Sequence, residues 1–481
     1  MQALSYLHDV HRMLEEEGET FLANIEEKAR VESLIGQALF GMNRLDAALE
    51  HFHAALKELG VKQPVSPLKI WWRLRIELMK QAASYLSIRK VVPTVSDHEG
   101  ILLERARCFF HISHVYHAEG RYKESFMAAL QELNTAERLE NNFHELLTAY
   151  TSVIECAGLV SWTRCAEKFE EIAMNRCKPG DSSLFLDDLV NVSNFYSVVC
   201  TFQLSQGHLQ NAVASGFRAL CLANKSNDHM LKINCTPSLS QCLILMSRIE
   251  ECHNVLKELN YAAREMDNLH GRALFFCNCF DLILETGHIL ESVEDCIIFT
   301  IQISADPRLT WDLIVKYYLN ASLLLWHARC EEWEEAEKVL SALKAIEPAA
   351  FEVVMAARGF VKVVECQLLM YRKNAKTKSF VAAAERLGLK LLSRICKRFP
   401  VIRPRYYHLK AHYFMLRCKF KKARSSLLPK CIDISTRMGT VMETEWAILS
   451  KHEWFDKKQT HTNFIYDGLT KFPLSVVTEP S

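Results

Sequence analysis

Glycine and proline are scarce here, at 16 and 12 of 481 residues. A β-rich or heavily looped chain needs more turn formers, so an all-β architecture is excluded. Cysteine is plentiful, at 17, but no CxxC pair occurs. That absence removes the usual redox motif and the commonest zinc-ligand spacing. Cys156, Cys165, Cys200, Cys221, Cys242 and Cys252 fall within apolar helical patterns, and Cys277 and Cys279 on different sides of a helix. Unpaired thiols in a reducing cytosol are therefore expected.

Catalytic signatures are missing too. None of the sixteen glycines precedes a lysine, so no P-loop can form, and neither GxGxxG nor GxSxG occurs. No uncharged apolar run reaches the ~18 residues that span a bilayer; CIIFTIQI at 296–303 is far too short and reads as a buried helix segment. The opening MQALSYLHDVHRMLEEEGE has no apolar core or small-residue cleavage site, so no secretory leader is expected. The carboxylates of EEEGE (15–19) and EEWEEAEK (331–338) read as solvated helix faces rather than acid/base pairs. The resulting expectation is a cytoplasmic chain that is not an enzyme, with no catalytic, cofactor-binding or metal-ligating residue.

What is present points to helix. Hydrophobic residues make up 49% and charged ones 24%, enough for a large core, and good helix formers dominate. A repeat is visible in ESLIGQALFGMNRLDAALEHFHAALKELG (32–60): Gly36 is followed by Leu39, Leu45, Ala48, Phe52 and Ala55. This spacing resembles the tetratricopeptide repeat. Its small residues let two helices approach, and its large ones fill the gaps between them. The same offsets give Ser113, Tyr116, Tyr122, Ser125 and Ala129, with Glu132 out of pattern. They recur from Cys200 (Gln203 out of pattern), Ser240, Leu324 and Ala411, and more weakly from Val153. Starts recur at intervals near 40 residues or twice that, longer than the about 34 of the standard repeat. The expected fold is all-α: a right-handed α-solenoid of ten to twelve irregular TPR-like helix pairs. Breaks are expected at Pro64 and Pro67, Pro93, 178–183, 224–228, Asp306-Pro307 and Arg403-Pro404.

HISHVYHAEGRY (111–122) spaces His111, His114 and His117 three residues apart. That spreads them over about 120° of a helix. Helical zinc ligands prefer i, i+4, so these read as surface histidines, with His114 and His117 towards the concave face and His111 outward.

The net charge of +1 conceals a division. Residues 371–430 hold 18 Lys or Arg and one acid, Glu385, a net +17, which leaves −16 for the rest. The chain accordingly divides into a helical array (1–370), basic helical repeats of the same array (371–455) and a tail (456–481). Such a field steers anionic partners. Lys397, Arg398, Arg403, Arg405, Lys419, Lys421, Lys422 and Arg424 are the candidate partner-binding residues. An acidic protein surface fits best. RNA or a phosphoinositide is the alternative anion, although no RNA-binding motif accompanies the charge.

Three stretches carry a more specific likeness: CKRFPVIRPRYYHLKAHYFMLRCKFKKA (396–423), MGTVMETEWAILSKHEWF (438–455), and HFHAALKELGVKQP with WWRLRIELMKQ within 51–81. They resemble the C-terminal helical-repeat region of the soluble, bicarbonate-responsive adenylyl cyclases. In that family two cyclase domains and a P-loop ATPase module precede the helical tail. The resemblance covers the tail alone, so no catalytic residue carries over. It implies a link to cAMP signalling through protein partners, the cyclase itself among them. The alternative is that this chain is part of a cyclase whose catalytic domains lie on another segment.

Overall fold

The computed structural model describes residues 23–64, 66–85, 99–139, 143–176, 186–306, 312–346, 353–373 and 388–455, with Tyr6 and Val10. Among these residues every regular element is helical. Pro93, 178–183, Pro307, the whole of 456–481 and the lysines at 376 and 378 lie outside the described residues.

The chain forms two compact units, Met1–Phe195 and Tyr196–Ser481. The first contains α1 (Ala23–Gly41), α2 (Leu45–Glu58), α3 (Pro67–Tyr85), α4 (Glu99–Ala118), α5 (Tyr122–Ala136), α6 (Phe143–Leu159) and α7 (Thr163–Arg176). Helix α8 (Leu186–Gln206) carries the boundary. The second unit continues with α9 (Leu209–Lys225), α10 (His229–Leu245), α11 (Ile249–Glu265), α12 (Leu269–Thr286), α13 (Val293–Ala305), α14 (Leu313–Arg329), α15 (Trp333–Ile346) and α16 (Val354–Lys373). It ends with α17 (Lys390–Arg398), α18 (Arg403–Leu416), α19 (Phe420–Lys422), α20 (Leu428–Met438) and α21 (Val441–Phe455). The rise in positive charge at Tyr371 thus falls inside α16.

Packing follows the small-and-large pattern. Gly36 and Phe52 bring α1 against α2: a Cβ on Gly36 would lie 2.8 Å from the Phe52 ring. In the next unit Ser113 takes the glycine position, and its hydroxyl donates to the Ser125 carbonyl at 3.1 Å. The Gly36→Ala variant should destabilise the first unit by about 1–3 kcal/mol, because the ring has to move. A lowered denaturation midpoint checks it, and an unchanged midpoint would contradict the packing.

The turns explain the period. Asn43, Gly120, Ser161, Gly207, Ser247, Glu331 and Cys418 all have positive φ, just past a helix end. In the second unit positive φ recurs at Gly207, Asn227, Ser247, Asp267 and Gly287, every twenty residues. Helices α9, α10 and α11 are each 17 residues long, and three-residue turns complete the twenty. The turns share one hydrogen-bond pattern: Arg248 N–H reaches back to Leu243 O at 2.9 Å, and Asn268 N–H to Ala263 O at 2.8 Å. This is the Schellman closure of a helix end. The 40-residue pair therefore comes from longer helices rather than longer loops. At Val153 the register is one residue off. Ser161 carries the left-handed turn, so the unit starts at Ile154, and buried Ala166 and Ala173 occupy the small positions.

Arg403-Pro404 is not an interhelical loop. Both residues lie in the first turn of α18, where proline's missing N–H leaves no bond unmade. The sixteen described cysteines are free thiols; most are buried, but Cys221 and Cys418 are exposed and Cys165 and Cys330 half-exposed. Burial pushes the Cys108, Cys235 and Cys252 thiols up to about 12. No described helix is long and apolar enough to cross a membrane.

In the first unit contacts run between helices close in sequence, such as α1 with α4 and α4 with α6. The second unit also closes over a long range: α21 packs against α10, and Trp446 Nε1–H donates to Glu285 O at 3.3 Å across 161 residues.

Candidate interaction surface

The eight candidate cations separate into distinct environments. Lys397 is exposed on α17, while Arg398 is half-buried beside the Phe399 ring. Arg403 donates from Nε to the Cys396 carbonyl at 2.9 Å and so ties α18 to the preceding helix.

Arg405 is a correction: it is 3% exposed and cannot meet a partner. Its Nε donates to both oxygens of Glu443 at 2.9 Å, and Nη1 to Glu365 at 3.2 Å. Nη2 bonds Glu285. One guanidinium therefore joins carboxylates from α21, α16 and α12. Arg329 adds a second fork, donating from Nη2 to Glu365 at 2.5 Å and from Nη1 to Leu284 O at 2.6 Å. Both guanidiniums lie over the Trp446 ring, with Cζ at 4.7 Å for Arg329 and 4.3 Å for Arg405.

A second cluster sits beside Asp281, which is fully buried. Tyr318 Oη–H donates to it at 2.5 Å and Arg358 Nη2 at 3.2 Å, and Lys362 pairs with its other oxygen. Burial alone would raise the Asp281 pKa, but the charges of Lys362 and Arg358 outweigh it and hold the carboxyl below its ordinary value. Together, four cations (Arg329, Arg358, Lys362, Arg405) face four carboxylates (Asp281, Glu285, Glu365, Glu443), all in the interior. Buried ions are tolerated when paired and hydrogen-bonded in this way. The network links α12, α14, α16, α18 and α21 within the second unit.

The exposed cations remain. After the left-handed Cys418, Lys419, Lys421, Lys422 and Arg424 project from α19 and from the π-helical turn Ala423–Leu427. Lys419 and Lys422 lie over the Phe414 ring at 5.9 and 4.5 Å, and Arg424 over Phe455 at 5.4 Å. Among the described residues none of the four has a carboxylate within ion-pair distance. A shallow depression of about 510 Å³ lies among Lys419, Phe420, Lys421, Lys422, Ser425 and Ser426. The aromatic rings orient the ammonium groups without neutralising them. An extra residue in a helical turn of this kind often marks a functional position.

The three histidines of 111–117 do not converge. His111 stacks on Phe52, ring centres 5.3 Å apart, rather than pointing outward. Burial, then the nearby His114 and Arg107, push its pKa down to about 4. His114 meets the Phe110 ring edge-on, and His117 lies 3.7 Å from Glu155. Among the described residues no group of three or more His, Cys, Asp or Glu is placed to hold a metal ion.

Lys419, Lys421 and Lys422 lie inside the 396–423 stretch that carried the family resemblance, and comparison with curated proteins bears that resemblance out. The likeness is to adenylate cyclase type 10. The human protein is 24% identical over 447 residues, covering 90% of this chain and 27% of its own length. The rabbit (Oryctolagus cuniculus) protein is 24% identical over 468 residues, 94% of this chain and 28% of its own length. The mouse protein is 22% identical over 476 residues, 95% and 29%. The chain thus spans little more than a quarter of the length of these relatives. No protein-family model matches. The similarity is thus to part of proteins named as adenylate cyclases. It also corrects the expectation that the chain is not an enzyme: the proteins it resembles along nearly its whole length are named as cyclases, which are enzymes.

Proposed function

We propose that the chain is a right-handed α-solenoid of TPR-like pairs that acts in cAMP signalling as a scaffold for protein–protein interaction. It docks an acidic protein surface with Lys419, Lys421, Lys422 and Arg424. Adenylate cyclase type 10 is the first partner to test. One observation carries the reading: four clustered cations are exposed, three of them (Lys419, Lys422 and Arg424) over aromatic rings, with no acid of the described chain neutralising them. Surface charge left unpaired in this way speeds encounter with an opposite surface and gives specificity. Lys397 extends the same charge, and Arg405 is the internal ion that holds its supporting helix.

The share of the relatives that is covered favours a second reading. In it the chain is the part of an adenylate cyclase that adjoins catalytic domains on another segment, and the same basic face contacts those domains.

The test is cAMP output from purified adenylate cyclase type 10, with ATP and Mg²⁺, with and without the added full chain. The wild-type chain should change the output, and Lys419→Glu/Lys421→Glu/Lys422→Glu should not. An identical effect of both, or no effect of either, would overturn the proposal. The chain assayed alone in the same buffer reports whether it makes cAMP itself.

A further inference from the structure

The first unit contains a cavity with a different charge. It has a volume of about 390 Å³ and is lined by α1, α4, α6 and α8, with Glu132 of α5 at its floor. Glu132 is 2% exposed, and its Oε2 has no hydrogen-bond partner. The Ser152 hydroxyl lies beside it but does not offset burial, which raises the pKa well above the ordinary value. Glu104 of α4, 5% exposed, lines the same cavity and makes no ion pair among the described residues. Leu34 and Phe110 form apolar wall. At the mouth Arg107 pairs with Glu145 at 3.5 Å, while Arg30 stands exposed.

A carboxyl buried without a partner is costly, and a ligand that supplies a counter-charge recovers that cost on binding. Two carboxyls from different helices line one cavity, an arrangement suited to a compact point charge with several donors. An ammonium meets that description; a planar guanidinium prefers both oxygens of one carboxylate. Leu34 and Phe110 would cover the methylenes of an aliphatic stem, as lysine stems are covered elsewhere. Arg30 at the mouth repels a run of positive charge, so one lysine among neutral or acidic residues is favoured. The cavity volume lies within the usual range for a ligand site, about 300–1,000 Å³.

We propose that this cavity is a receptor for one unmodified lysine side chain of an extended peptide, its ammonium seated between Glu132 and Glu104. The site is independent of the basic face of the second unit. Acetylation of the lysine removes its charge and abolishes recognition.

The test uses the full chain and an array of N-acetylated, C-amidated hexapeptides. Each carries one central lysine between varied neutral and acidic residues, and each is also made with acetyl-lysine or norleucine at that position. The strongest binders are then titrated calorimetrically. Lysine peptides should bind at least tenfold more tightly than their acetyl-lysine or norleucine counterparts, about 1.4 kcal/mol. Glu132→Gln and Glu104→Gln should each remove that preference. Glu132→Gln is isosteric and replaces an unpartnered buried carboxyl with a neutral amide, so its fold should survive, and an unchanged circular dichroism spectrum confirms this. Retention indifferent to the central residue, retention unchanged in Glu132→Gln, or no lysine peptide retained would each overturn the proposal.

Discussion

Arg405→Met opens the C-terminal helices of the second unit, with an expected loss of about 3–5 kcal/mol. The wild-type guanidinium satisfies Glu285, Glu365 and Glu443 at once, and every member is 8% exposed or less. Methionine fills much of the volume but leaves three carboxylates facing one another with Arg329 as their nearest remaining fork. Solvent screening does not rescue them at that depth. Arg405→Lys should fall between, because one ammonium keeps the charge but cannot reproduce the three-way fork. Hydrogen exchange read peptide by peptide is the right measurement: protection should fall in α18 and α21 and stay unchanged in α1 and α2. Lys397→Met, which removes an exposed cation one helix away, is the control. Equal effects of the two substitutions would show that the buried fork does not hold the unit closed.

Asp281→Asn should destabilise the same unit at neutral pH by a similar margin, about 3–5 kcal/mol, since Lys362 and Arg358 are left buried without their counter-ion. Its pH dependence has a fixed sign. The folded Asp281 pKa lies below the unfolded value, so its contribution is complete above the unfolded pKa, near ~4. That contribution is lost as pH falls through the lower folded value. The gap between wild type and variant is therefore widest near neutrality and closes in acid. Glu443 has the opposite sign: burial raises its pKa despite Arg405, so its contribution erodes as pH rises through the folded value. Denaturation at three pH values from neutral to strongly acidic checks this. A gap that widens in acid would contradict the assignment of Asp281 as the ionised partner.

The helix pairs were legible in the sequence because packing leaves a local record. Gly36 opposite Phe52 and Ser113 opposite Ser125 follow from spacing alone. The weak unit slipped by one residue: Ser161 takes the left-handed turn eight residues after Val153, whereas the other units place that turn seven residues after their start. Arg405 was misplaced because charge was counted along the chain, whereas burial depends on the helix face. It shares a face with buried His408, Leu409 and His412. A signal was available there: isolated charges inside apolar helical runs. Asp281 stands in FFCNCFDLILE, and Arg358, Lys362 and Glu365 follow at four and three residues on one face of the almost wholly buried α16. Their partners lie far away in sequence, 120 residues in the case of Arg405 and Glu285, and no periodicity encodes that. Glu132 falls out of the repeat pattern, and the same residue lines the cavity of the first unit.

The central claim is that Lys419, Lys421, Lys422 and Arg424 form a docking face in cAMP signalling. Equilibrium binding of the full chain to immobilised adenylate cyclase type 10, at low and at high salt, tests it most directly. The account predicts saturable binding that weakens steeply with salt and is lost in Lys419→Glu/Lys421→Glu/Lys422→Glu, while Arg405→Lys, whose change is internal, still binds. Binding that ignores both salt and charge reversal, or no binding at low salt, would contradict it.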